Sequence, residues 1–229
     1  MAGLKNYFSL IEIVLWLSSV ILILGSFFVF GGSSTMAMIA SLIGVTAIIF
    51  NAKGNPFGQF LMVIFSFMYF IISYSFSYYG EMITYLGMTM PMALFALIAW
   101  LRNPYKGKHS EVEVNSISRK EVAGMFVACL LVTIIFYFIL KYFHTANLIF
   151  STLSISSSFV AVYLTFRRNS YFSLAYAFND IVLIILWLLA SIEDIKYASV
   201  LVCFVAFLAN DIYAFLSWKK MEVRQAAGE

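Results

Sequence analysis

Eight apolar runs, at residues 7–30, 36–50, 57–79, 82–101, 121–143, 146–166, 171–191 and 197–218, fill most of this 229-residue chain. Crossing the hydrocarbon of a bilayer takes about 20 helical residues, because only a helix satisfies its own backbone there. Seven runs reach that length, and the short second one extends backward through Gly31-Gly32-Ser33-Ser34-Thr35 or forms a short, tilted helix. With 63% hydrophobic and 11% charged residues, the composition excludes a water-soluble domain and predicts an all-α polytopic membrane protein. Lys5 precedes the first run as it would in a signal peptide. Glu12 within the run and the lack of a small-x-small cleavage site instead predict a retained helix.

Basic residues fall between the runs. Alternate turns collect Lys5, Lys53, Arg102, Lys106, Lys108, Arg119, Lys120, Arg167, Arg168, Lys219, Lys220 and Arg224 on one side, and only Lys141 and Lys196 on the other. Basic residues near span ends are retained inside, so both termini and the 102–120 loop are predicted to be cytoplasmic. The net charge of +3 is not gathered into a stripe, which argues against nucleic acid as a partner and leaves the lipid bilayer as the surrounding medium. Cys129 and Cys203 each lie inside an apolar run and predict neither a disulfide framework nor a thiolate metal site.

The stretch from Asn55 to Trp100 is patterned like that from Asn169 to Trp218. Each follows a basic turn, reaches an acidic outer turn (Glu81; Glu193-Asp194) and returns to a Trp followed by basic residues. With the preceding spans this gives two three-helix repeats. One helix between them makes the copies parallel, a plan that places a substrate site between repeats. The predicted division is an accessory helix at 1–32, a first repeat at 33–103, a loop and linker helix at 104–145, a second repeat at 146–218 and a tail at 219–229.

Polar residues inside spans are the candidates for function, since they are costly in lipid and face protein, water or ligand. Asn179-Asp180 and Asn210-Asp211 stand out, each Asn about 12 Å from the cytoplasmic end at 1.5 Å rise per residue. Tyr176 shares a face with Asn179 and Tyr213 with Asn210, and Trp187 lies two turns beyond Asn179. Together they predict a polar pocket with aromatic walls, in which the two amides meet across adjacent helices. Each Asp lies about 100° around the helix from its Asn, so one member of each pair is expected to turn elsewhere. Bridging of helices by these amides is the competing structural reading. In the first repeat the candidates are Gln59, Tyr69, Ser73, Thr84, Tyr85 and Thr89, and Pro91 predicts a kink. The hydroxyls of the sixth run read as packing contacts, and Trp100 and Trp218 as members of an interfacial aromatic belt. No His cluster, phosphate-binding Gly loop or nucleophile elbow occurs, so neither an enzyme nor a bound cofactor is predicted.

The run Tyr171-Phe172-Ser173-Leu174-Ala175-Tyr176-Ala177-Phe178-Asn179-Asp180, with Leu208-Ala209-Asn210-Asp211-Ile212-Tyr213 and Trp218-Lys219-Lys220, resembles the C-terminal half of the PnuC family of nicotinamide riboside transporters. The resemblance implies a SWEET-like fold and facilitated diffusion of the nucleoside across the bacterial inner membrane. It also implies trapping by a cytoplasmic riboside kinase and a homo-oligomer such as a trimer. It gives Asn179 and Asn210 to the ribose hydroxyls or carboxamide, and Trp187, Tyr176 and Tyr213 to the pyridinium ring. Asp180, Asp211, Gln59 and Tyr69 complete the expected binding set. In the fourth run the chain departs from the family with Pro91-Met92-Ala93-Leu94. An ion-coupled carrier of a sugar or another nucleoside, using an Asp as titrating site, is the alternative; a non-transporting scaffold is a third reading.

Overall fold

The computed structural model describes residues 7–31, 34–75 and 79–228. Among them are eight helical segments long and apolar enough to span a bilayer, in the order expected. They are α1 (Leu10–Phe30), α2 (Thr35–Ala52), α3 (Pro56–Ser75), a broken fourth span, α6 (Arg119–Tyr142), α7 (Leu148–Phe166), α8 (Phe172–Glu193) and α9 (Ala198–Ala226). The fourth span is α4 (Tyr79–Thr84), a π-helical turn (Tyr85–Thr89) and α5 (Met90–Arg102). Pro91 has no N–H and its ring crowds the carbonyl four residues back, and the π turn directly before it absorbs the misfit. Glu81, in the outer turn of the first repeat, has a side chain outside the described ones.

Capping sets the helix starts. Ser9 and Glu12 form a reciprocal capping box on α1, Ser34 accepts from Ala37 N–H on α2, and Ser118 accepts from Glu121 N–H on α6. The 102–120 loop holds a feature absent from the sequence reading, a hairpin of β1 (Pro104–Tyr105) and β2 (Lys108–Val112). Its two-residue turn, Lys106-Gly107, has positive φ at both positions, which suits the right-handed twist of paired strands.

Six helices close a ring: α2 packs on α3, α3 on α5, α5 on α7, α7 on α8, α8 on α9, and α9 on α2 again. Outside the ring, α1 lies against α2 and α9, and α6 lies against α7. The extra first helix thus sits beside α2 as the linker helix sits beside α7. The polar contacts repeat too: Lys53, capping α2, pairs with Glu12 of α1 at 3.2 Å, and Arg167, capping α7, pairs with Glu121 of α6. The turns that follow match residue for residue. Gly54 and Arg168 are both left-handed, and the next residues, Asn55 and Asn169, each accept from the backbone N–H two positions on.

The end of the bundle that carries these turns is tightly closed. Trp100 Nε1 donates to Thr165 O at 2.9 Å, and Trp218 Nε1 donates to Asn51 O at 2.7 Å, so each repeat's last Trp is tied to the other repeat's first helix. The two indoles meet at 5.4 Å between centroids, with Phe172 edge-on to Trp218 at 4.8 Å. Both tryptophans are 0% exposed, which corrects their assignment to an aromatic belt. A belt residue faces headgroups, whereas these indoles bury their rings on the bundle axis and satisfy their N–H groups on carbonyls. The linker loop crosses the same end, with Val112 N–H on Gly54 O and Asn115 N–H on Arg168 O.

Candidate functional site

A cavity of about 130 Å³ lies inside the six-helix ring, on the inner side of the Trp100–Trp218–Phe172 plug. Its walls differ in chemistry because the two repeats place different residues at corresponding levels. The first repeat contributes Phe65 from α3 and Tyr85 and Thr89 from the broken span. Phe65 and Tyr85 stand 6.5 Å apart, and Phe204 and Phe207 of α9 extend this aromatic wall. Tyr69 stacks behind, 4.6 Å from Phe65 and 5.1 Å from Tyr85, rather than in the lining itself.

The second repeat supplies the polar wall: Ser151, Ser154 and Ser158 of α7, Tyr176, Asn179 and Asp180 of α8, and Asp211 of α9. Asn179 is oriented by α7, since Ser157 and Ser158 both donate to its Oδ1, at 2.8 and 3.1 Å. An amide whose oxygen is occupied in this way has its Nδ2 donors left for other partners, and Asn179 is part of the cavity lining. Asp180 and Asp211 approach each other within side-chain hydrogen-bonding reach. Oδ2 of Asp180 is buried with no hydrogen-bond partner among the described residues. Among the described residues, no Lys, Arg or His lines the cavity.

Besides Tyr69, four expected site residues lie outside the lining. Asn210 is fully buried but turned outward from the ring: its Nδ2 donates to Ser19 Oγ of α1 at 2.7 Å and to Ala206 O. The amides therefore do not meet, and the member of the second pair facing the cavity is Asp211, while both members of the first pair reach it. The cause is helical geometry, because the 100° between neighbours sends Asn210 to α1 when Asp211 faces inward. Tyr213, one turn along, donates to Glu12 Oε1 at 3.1 Å and belongs to the same α1 contact. Trp187 packs 5.6 Å from Tyr197 near the opposite end, outside the lining. Gln59 stands behind the wall, donating to Oδ1 of the lining residue Asn51 at 2.8 Å.

The residues that sequence reasoning undervalued are the hydroxyls of α7. Their run in the sequence was the available signal, but small hydroxyl residues also serve close helix packing, and the pattern is the same for both uses. Because Asn210 is bonded to Ser19 of α1, Asn210→Ala is expected to lower the thermal midpoint by a few degrees, consistent with about 1 kcal/mol for an interhelical bond in a membrane. Ligand affinity should stay within about twofold by calorimetry, well inside the tenfold that 1.4 kcal/mol represents.

Comparison with known proteins agrees with this architecture. Nicotinamide riboside transporter PnuC of Neisseria mucosa is 24% identical over 216 residues, covering 92% of this chain and 82% of that protein. The protein of the same name from Haemophilus influenzae is 23% identical, covering 92% and 91%. The crystal structure of the vitamin B3 transporter PnuC superposes with a TM-score of 0.79 at 21% identity, over 95% of this chain and 94% of that one, so the fold is shared. The model of the nicotinamide mononucleotide transporter family matches residues 34–220, from the cap of α2 through the Trp218 anchor to Lys220, and on that match this multi-pass membrane chain belongs to the nicotinamide mononucleotide transporter family.

Proposed function

We propose that this chain carries nicotinamide riboside, the nucleoside and not its phosphate, into the cytoplasm. The observation that carries the choice is the lining of the cavity: among the described residues it has two carboxyl groups, Asp180 and Asp211, and no basic side chain. A phosphate dianion would enter with nothing to neutralise it, and its desolvation would go uncompensated. The riboside brings one positive charge on its ring, which the aromatic wall of Phe65, Tyr85 and Phe207 and the nearby carboxyls favour. Its hydroxyls and carboxamide match the donors and acceptors of Asn179, Ser154, Ser158 and Asp180. The names of the two riboside-transporting relatives support the same substrate.

Transport is facilitated diffusion by alternating access. The repeats at 33–103 and 146–218 rock about the cavity, and the Trp100–Trp218 contact parts when it opens to the cytoplasm. Both termini lie on the cytoplasmic side of the inner membrane, in keeping with the basic turns there. Phosphorylation by a cytoplasmic riboside kinase then makes uptake one-way, because the product cannot re-enter a site without a cation. The carrier works as a homo-oligomer such as a trimer.

Calorimetry on purified protein tests the substrate. Nicotinamide riboside is expected to bind, and nicotinamide mononucleotide to bind at least about 100-fold more weakly, a difference of about 2.7 kcal/mol. Equal or tighter binding of the mononucleotide would overturn the reading.

A further inference from the structure

A second polar cleft, of about 250 Å³, opens at the closed end of the bundle, apart from the substrate cavity. Three cations reach it from two helices: Lys53 at the end of α2, and Lys220 and Arg224 on the last turns of α9. Basic residues at span ends usually need only the orientation rule to explain them. These differ because they converge on one concave site that also presents hydroxyls. Ser110 comes from the hairpin, Ser217 from α9 and Tyr7 from the segment before α1.

The hydrogen bonding leaves this set open to an acceptor ligand. Tyr7 Oη accepts from Asn55 Nδ2 at 2.8 Å, so its own O–H remains to be donated. Lys53 is held between Glu12, at 3.2 Å, and the Tyr7 ring, 4.8 Å from its centroid. Arg224 pairs with Glu111, the one carboxylate in the lining among the described residues. Lys220 has no carboxylate partner, and Ser110 and Ser217 have no side-chain hydrogen bond, among the described residues. With Lys53 paired to Glu12 and Arg224 to Glu111, the cleft is left with one uncompensated positive charge, the Lys220 ammonium, beside free hydroxyl donors.

We propose that this cleft binds a phosphate group, presented by an anionic lipid headgroup or by a small soluble phosphate ester. Phosphate is the chemistry that takes several O–H and N–H donors at once and forms charge-assisted bonds with Lys and Arg. The position at a span end, beside the basic turns, is where a headgroup would lie. The site stands on these residues alone and does not depend on which molecule the central cavity carries.

Thermal unfolding of the full chain in neutral detergent tests this. The probes are glycerol 3-phosphate, dioctanoyl phosphatidylglycerol and, as a phosphate-free control, dioctanoylglycerol. The wild-type midpoint is expected to rise saturably with one or both phosphate probes and not with dioctanoylglycerol, and the effect should weaken as salt is raised. Lys220→Glu should raise the concentration for half-effect at least tenfold, while Lys220→Arg stays within about threefold. Lys220 is exposed and unpaired, so both variants should fold and keep the wild-type midpoint without ligand. A response to glycerol 3-phosphate assigns the site to soluble esters, and a response to the phospholipid alone assigns it to headgroups. No saturable response to either probe, or one that Lys220→Glu leaves unchanged, overturns the proposal.

Discussion

Replacing Asn179 with leucine is expected to reduce riboside affinity by about 10-fold to 100-fold, the loss of about 1.5–3 kcal/mol that follows when a buried polar ligand forfeits its partner. The fold should survive, because leucine nearly matches asparagine in length and Ser157 has other acceptors. Ser157 already shares its proton with Leu153 O and Ser154 O, at 3.0 and 3.1 Å. Calorimetry and tracer uptake into vesicles check the loss, and an unchanged thermal midpoint separates it from misfolding. The contrast with Asn210→Ala is the informative part. One amide should govern affinity and the other stability, although both stand beside an aspartate in an apolar run.

Gly58→Ala is expected to have the larger effect on assembly. A Cβ at this position would lie 2.2 Å from Asn51 Oδ1 and 2.7 Å from both Ala47 O and Asn51 N, so it meets backbone and not only a movable side chain. Neither helix can yield cheaply. Asn51 is held by Gln59 through its side chain and by Trp218 through its carbonyl, so separating α2 from α3 would also disturb the plug between the repeats. Overpacking costs about 1–3 kcal/mol and occasionally more, and contact with backbone puts this case at the upper end. The expected result is a strong drop in folded, detergent-stable protein by size-exclusion chromatography. A variant with wild-type yield and thermal midpoint would show that the α2–α3 contact is looser than described.

The spans were legible because the bilayer demands long apolar helices, and each run from 7–30 to 197–218 has its helix in the structure. Pro91 likewise marked the broken fourth span. The site was legible only in part. Asn179, Asp180, Asp211 and Tyr176 do converge on one cavity, but the pairing of Asn179 with Asn210 failed for a reason rooted in α1. Treating that helix as an accessory removed the partner that Asn210 uses, and α9 then had one polar face to explain instead of two. Helix α9 is covered on one side by the cavity and on another by α1, so periodicity alone could not say which neighbour takes Asn210 and which takes Asp211. Trp100 and Trp218 show the same limit. A tryptophan followed by basic residues at a span end reads as interfacial, and only the ring closure of the repeats shows that both point to the axis.

Determining the structure with nicotinamide riboside bound tests the central claim most directly. The account predicts density for the ligand between Phe65 and Tyr85 on one side and Asn179, Asp180 and Asp211 on the other, with Asn210 still bonded to Ser19. Density placed beside Asn210 and Trp187, or outside the six-helix ring, would contradict it.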